Sequence, residues 1–197
     1  MSQDLNALVG QFAASSEVYS RTDANTGSDF GVWPYDDEPY SRGKGQFNCD
    51  ITDFEVTQGA KFTFWPGGGQ PKVELPAISL RVHYQWTDPD GSGNPQSFKG
   101  LKMTIPFDPS AIPEKQQFLY EKEAGRFKSL LEAVLPEEGS TGNLGQDIIN
   151  VAAQFENWNQ SGAVPTAVVK IDRWQETDRK DSNKKYDRRC EYVLRIL

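Results

Sequence analysis

At 197 residues the chain has the length of one domain with room for an appendage, enough to bury a core. Hydrophobic residues make up 37% of it against the usual share of about 45–50%, and Gly, Pro, Asn, Ser, Thr and Gln fill the gap, which favours short strands joined by turns; an aromatic share of 12% excludes a wholly disordered chain. The mean hydropathy of −0.65 and the lack of any long apolar run exclude a spanning helix, and the net charge of −7 makes a nucleic-acid partner depend on how that charge is distributed.

The opening Met1-Ser2-Gln3-Asp4 lacks the basic and apolar regions of a secretory leader, so a cytoplasmic address is expected. Leu5, Leu8, Val9 and Phe12 recur at helical spacing and predict a short amphipathic helix within 2–16; 15–31 reads as a linker. Trp33-Pro34-Tyr35-Asp36-Asp37-Glu38-Pro39-Tyr40 is aromatic and acidic, and its two prolines exclude a central strand; it suits a segment that docks on its own domain or on a partner. Residues 1–40 are accordingly expected to be a flexible acidic N-terminal segment, followed by a domain over 41–197.

From Gly45 the period becomes that of a strand. Phe47, Cys49 and Ile51 share one phase and Phe54 and Val56 the other, so a bulge is expected near Thr52-Asp53. After Lys61 to Trp65 and the turn Pro66-Gly67-Gly68-Gly69, a clean strand runs from Ala77 to Trp86, with Ile78, Leu80, Val82, Tyr84 and Trp86 on one side and Ser79, Arg81, His83 and Gln85 on the other. The loop Asp88 to Pro95 returns the chain into a strand over Phe98–Phe107 and makes a hairpin. Pro113 opens one substantial helix in which Phe118, Leu119, Phe127, Leu130, Leu131 and Val134 fall at helical intervals, and Pro136 closes it. The run Ile148, Ile149, Val151, Ala152, Phe155 fits helix or strand equally. Strands resume over Thr166–Thr177 and Lys184–Leu197, joined by a hydrophilic hairpin.

Three strands, a helix and two strands is the order of the five-stranded OB barrel, whose binding face uses strands 2 and 3 and the loops joining strands 1–2 and 4–5. The fold expectation is therefore mainly β, an OB-like barrel with one substantial helix between strands 3 and 4. Cys49 and Cys190 read as small core residues, and with the single His83 they make no ligand set, so neither a metal nor another cofactor is expected.

The charge is uneven along the chain. Residues 1–60 hold ten acids against three bases, 61–170 twelve against ten, and 171–197 six against eight. Screening confines exposed charges to within about 8 Å in cell-like salt, so a basic patch at the back of an acidic protein can still attract phosphate. In an OB frame two loops flank one groove: an aromatic one containing Phe64 and Trp65, and a basic one containing Arg179, Lys180, Lys184 and Lys185. Between them lie Arg81 and His83 on strand 2, Phe98, Lys99 and Lys102 on strand 3, and Lys170 and Trp174 on strand 4. Aromatic rings stack on any unpaired base and cations track phosphates, which is the pairing that single-strand binding needs. Each member also has a structural account. Phe64 and Trp65 can close the barrel's end, Trp174 can pack on the helix, Tyr84 and Trp86 share the core face, and the lysines suit a solvated hairpin tip.

From about Tyr40 to Leu197 the chain resembles a family of phage-encoded proteins regarded as OB-fold single-stranded DNA-binding proteins and found beside recombination and replication genes. The resemblance lies in Tyr40-Ser41-Arg42-Gly43-Lys44-Gly45-Gln46-Phe47-Asn48-Cys49-Asp50-Ile51, like the family's Gly-x-Tyr approach to strand 1, and in Val168-Val169-Lys170-Ile171 with Asn183-Lys184-Lys185-Tyr186, like its final hairpin. It implies a non-enzymatic protein that binds single-stranded DNA, or RNA, in the host cytoplasm, contacts replication or recombination proteins, and self-associates into a homo-oligomer. Single-strand-binding proteins commonly recruit partners through an acidic C-terminal tail. This chain ends Tyr192-Val193-Leu194-Arg195-Ile196-Leu197, and the partner contact is expected at its acidic front instead.

Two rivals stand beside this reading. One is a β-sandwich virion or protein-interaction module without nucleic-acid binding, with Trp65, Trp86 and Trp174 in its core or gripping sugar rings. The other is a nuclease that gathers Asp50, Asp53, Glu55, Asp172 and Glu191 around metal ions. No nucleophile elbow or phosphate loop occurs, and Glu137-Glu138 follows a helix in a loop, where it solvates the chain.

Overall fold

The computed structural model describes residues 5–12, 45–86, 96–177 and 181–197. A 3-10 turn over Leu5–Ala7 leads into the short helix α1, Leu8–Gln11. There follow β1 (Gly45–Phe64), β2 (Val73–Trp86), β3 (Gln96–Pro106), α2 (Gln117–Val134), α3 (Leu144–Ser161), β4 (Thr166–Thr177) and β5 (Lys185–Ile196). Among the described residues the strands form one antiparallel sheet in the order β3-β2-β1-β4-β5. Among the described residues no second sheet faces it.

β1 is central because it is long enough to pair twice. Gly45 to Asp50 lie against β4, and Asp50 to Phe64 lie against β2. The expected bulge falls between Ile51 and Asp53, and a second register break lies between Thr57 and Ala60. Gly59 sits in that second break at φ 73°, a conformation glycine adopts without steric cost. Two bulges in one strand coil it, so that the inward side chains of both halves reach a common core. The turn after β1 is set by Gly67, Gly68 and Gly69, all at positive φ, and is closed by Gln70 N–H donating to Gly67 O at 3.1 Å.

The alternation read from the sequence is the alternation of the sheet. Ile78, Leu80, Val82 and Tyr84 from β2, Leu101, Met103 and Ile105 from β3, and Ala167 and Val169 from β4 are buried together. Cys49 is buried with them, as expected of a small core residue. Helices cover this face. α2 packs along β5 and β3, the two outer strands, which also approach each other, while α3 packs on β1 and α1.

Two helices, not one, separate β3 from β4. Asn143 caps α3 by accepting from Gln146 N–H at 3.0 Å, and Ile148, Val151 and Phe155 then recur on one buried stripe. Phe155 stacks on Phe54 of β1 with centroids 5.1 Å apart, which seats the helix on the sheet. In α2, Tyr120, Ala124, Phe127, Leu131 and Val134 form the buried stripe. Phe118, expected among the apolar positions, lies about 200° around the helix from Tyr120 and is 59% exposed.

The N-terminal expectation meets a docked element. Phe12 is fully buried, tilted against Phe107 at 4.9 Å. The linker at 15–31 and the acidic aromatic segment at 33–40 lie outside the described residues, as does the loop 87–95.

Candidate nucleic-acid interface

The outward face of β1, β2 and β3 is built by the same period-2 pattern that buries Leu80 and Val82. Cross-strand register places Glu55 opposite Arg81 and Arg81 opposite Lys102, and a second row places Asp53 opposite His83 and His83 opposite Lys99. Directly paired residues share a face, so the cations of Arg81 and Lys102 and the imidazole of His83 form a strip on the solvent side of β2 and β3. Arg81 and His83 are half-exposed and Lys102 is exposed.

The β1 side of this strip is acidic. His83 Nε2 lies 3.4 Å from Glu55 Oε2, and Thr57 Oγ1 donates to Glu55 Oε1 at 3.2 Å. These two hydrogen bonds, with the nearby Arg81 charge, hold the Glu55 carboxyl below its ordinary range. Arg81 and His83 thus face the Glu55 carboxylate of β1, and Lys102 stands on the β3 side.

The expected residues divide into separate groups. Trp65 is 65% exposed just past the end of β1, where a ring can meet solvent or a ligand. Phe64, expected beside it in the groove, points inward instead: it is 3% exposed and packs 6.4 Å from Phe62, because strand alternation sends neighbouring side chains to opposite faces. Phe98 pairs in register with Tyr84, Lys170 with Gln46 and Tyr192, and Trp174 with Arg188. Lys184 and Lys185 are exposed at the β4–β5 hairpin, and Arg179 and Lys180 lie outside the described residues.

Register also fixes where the two loops stand. β4 leaves β1 at the Gly45 end, so the β4–β5 hairpin lies beyond that end, whereas the glycine turn follows Phe64. The two loops therefore stand toward opposite ends of β1.

Beside the Trp65 end the structure holds a feature that the sequence pattern did not single out. Gln116 Nε2, at the start of α2, donates to Trp65 O at 2.6 Å and pins the helix to the end of β1. A pocket of about 380 Å³ opens between β1, β3 and α2, lined by Lys61, Thr63, Lys102, Thr104, Lys122 and Glu123, with Phe62 and Leu119 supplying apolar wall. Lys61 Nζ lies 2.6 Å and Lys72 Nζ 2.8 Å from the Glu74 carboxylate, and the two ammonium groups hold that carboxyl down at about 2. Glu123 accepts from Thr104 N–H at 3.2 Å and faces Arg126 Nη1 at 3.3 Å.

Three of the carboxylates weighed for metal binding have separate partners. Asp50 accepts from Thr166 Oγ1 at 2.6 Å and Asp53 from Phe54 N–H at 2.8 Å, while Glu55 serves His83. Among the described residues no His, Cys, Asp or Glu group is arranged to hold a metal ion, and no helix is long and apolar enough to cross a membrane. Comparison with protein-family models, with curated proteins and with solved structures gives no match.

Proposed function

We propose that the protein is a non-enzymatic single-stranded DNA-binding protein that serves phage DNA replication or recombination in the host cytoplasm. The observation that carries this reading is the outward strip of Arg81, His83 and Lys102, held in cross-strand register and ending toward the exposed Trp65. Cations at strand spacing suit a phosphodiester backbone, and an exposed indole suits an unpaired base. The strand order β3-β2-β1-β4-β5, with helices between β3 and β4, is the order of an OB barrel opened between β3 and β5, and the approach of those two strands supports that fold. Lys184 and Lys185 extend the basic track along the sheet, and the acidic segment 33–40 is the proposed contact for replication or recombination proteins.

The carboxylates of Asp53 and Glu55 on the same face favour a second reading, a protein-interaction module whose partner carries mixed charge. Titration of the full chain with fluorescent oligo-dT and with a matched duplex at two salt concentrations separates the two. Single-strand-selective, salt-sensitive binding with tryptophan quenching is expected of the first. Absence of binding at low salt overturns it in favour of the second.

A further inference from the structure

We infer that Gln116 is a positioning residue for base stacking: by donating from Nε2 to the carbonyl of Trp65, it fixes the backbone that presents the exposed indole to an unpaired base. The inference rests on the single-strand reading and deepens it by naming what holds the stacking ring still.

Trp65 stands just past the last ladder pair of its strand. β1 and β2 end their pairing at Phe64 with Val73, and the turn beyond contains Gly67, Gly68 and Gly69, all at positive φ. Pro66 donates no hydrogen bond and disfavours a helical backbone at the residue before it. Gln116 supplies the partner that the ladder no longer gives, at 2.6 Å from Trp65 O. It is itself held. Its N–H donates to Pro113 O at 2.7 Å, and the adjoining Gln117 side chain donates to Pro109 O at 2.8 Å and to Ile112 O at 2.7 Å. The start of α2 is thus a fixed post to which the Trp65 backbone is tied.

Two observations separate this tie from ordinary packing. The indole it holds is 65% exposed, so fixing the Trp65 backbone secures little burial. Gln116 Oε1, in turn, is buried with no hydrogen-bond partner, which costs stability where an apolar side chain of the same length would not. What the amide does secure is order before binding. A ring whose backbone is already fixed has only its two side-chain torsions to give up when a base stacks on it, so more of the stacking energy is expressed as affinity. An unpaired base suits such a ring because every base has a π face.

The test uses the full chain and fluorescent oligo-dT, and compares wild type, Gln116→Met, Trp65→Ala and the double variant. Gln116→Met keeps the length of the side chain and removes both the donor and the unpartnered oxygen; Gln116→Ala is carried alongside as a second removal of the donor. Both are expected to melt close to wild type, to bind oligo-dT about two- to tenfold more weakly, and to keep the wild-type salt slope, since no phosphate contact is lost. The fluorescence anisotropy of Trp65 in the free protein, taken as the difference between each protein and its Trp65→Ala counterpart, is expected to fall. In the Trp65→Ala background, Gln116→Met is expected to change affinity no further. If wild type binds the oligonucleotide and the folded Gln116 variants bind it equally well, or lose the same factor with and without Trp65, the positioning role is refuted while the single-strand reading stands. An unchanged Trp65 anisotropy refutes it likewise. If both Gln116 variants melt far below wild type, the bond serves the fold and the assignment falls. If wild type does not bind the oligonucleotide at all, the function proposed above fails, and the positioning role with it.

Discussion

Gly100 is a position where a single methyl group has no room. It lies at the register break between β2 and β3, and a Cβ built there overlaps the ring of Tyr84, which is itself 1% exposed and cannot swing away. Gly100→Ala is expected to cost at least about 1–3 kcal/mol through overpacking, read as a fall of several degrees in Tm. Asp147 is a second such point. Its buried carboxylate accepts from Ser140 Oγ at 2.6 Å, Thr141 N–H at 2.9 Å and Thr141 Oγ1 at 2.6 Å, tying the α2–α3 loop to the first turns of α3. Asp147→Ala leaves those donors unmatched and is expected to destabilise by about 2–4 kcal/mol in urea titration. Cys49 gives a chemical check on the core. Burial, with the charge of Asp50 behind it, pushes its thiol up to about 12, so at neutral pH there is almost no thiolate. Alkylation followed by peptide mass mapping is expected to leave Cys49 unmodified in the native protein and to modify it fully in denaturant.

At the scale of elements, α2 does work that a strand would otherwise do. The outer edge of β3 presents free backbone groups, and α2 answers two of them: Glu123 accepts from Thr104 N–H at 3.2 Å and Arg126 Nη1 donates to Lys102 O at 3.1 Å. A helix laid over a strand edge satisfies it and bars another chain from pairing there. Glu123→Ala/Arg126→Ala is therefore expected to lower stability and to raise aggregation, checked by light scattering during a thermal ramp. The sequence made the strands legible because an antiparallel sheet covered on one side writes a period of two, as Ile78 to Tyr84 and Leu101 to Ile105 do. It made α3 hard to read, because its apolar stripe of Leu144, Ile148, Val151 and Phe155 is set amid Asn, Gln and Glu, and the cap at Asn143 gives the better signal. The candidate site was legible only where it lay on a strand. Arg81, His83 and Lys102 follow from alternation, whereas Lys61 and Lys122 meet at one pocket through the docking of α2 on the end of β1, a long-range contact that no local pattern encodes.

For the molecule as a whole, the question is how a chain of net charge −7 holds a phosphate backbone, and the answer lies in local pairing. Glu74 is an acid that opposes a phosphate at the wall of the pocket between β1, β3 and α2, because its one carboxylate engages both Lys61 and Lys72. Lowering the pH does not remove that opposition. The two ammonium groups hold the Glu74 carboxyl at about 2 rather than at its ordinary 4.5, so it stays charged through the mildly acidic range and is neutralised only as pH falls toward the lower value. Substitution separates the effects that pH cannot. Glu74→Gln removes the charge and keeps the shape, leaving Lys61 at the pocket wall with its full charge for a phosphate. The group is exposed, so the melting temperature is expected to stay unchanged. Oligo-dT affinity at low salt is expected to rise severalfold, with a salt slope steeper by about 0.7 for one added single-strand contact. Equal affinity and slope in the two proteins would place the strand away from Lys61 and leave the cations of β2, β3 and the β4–β5 hairpin to hold it alone.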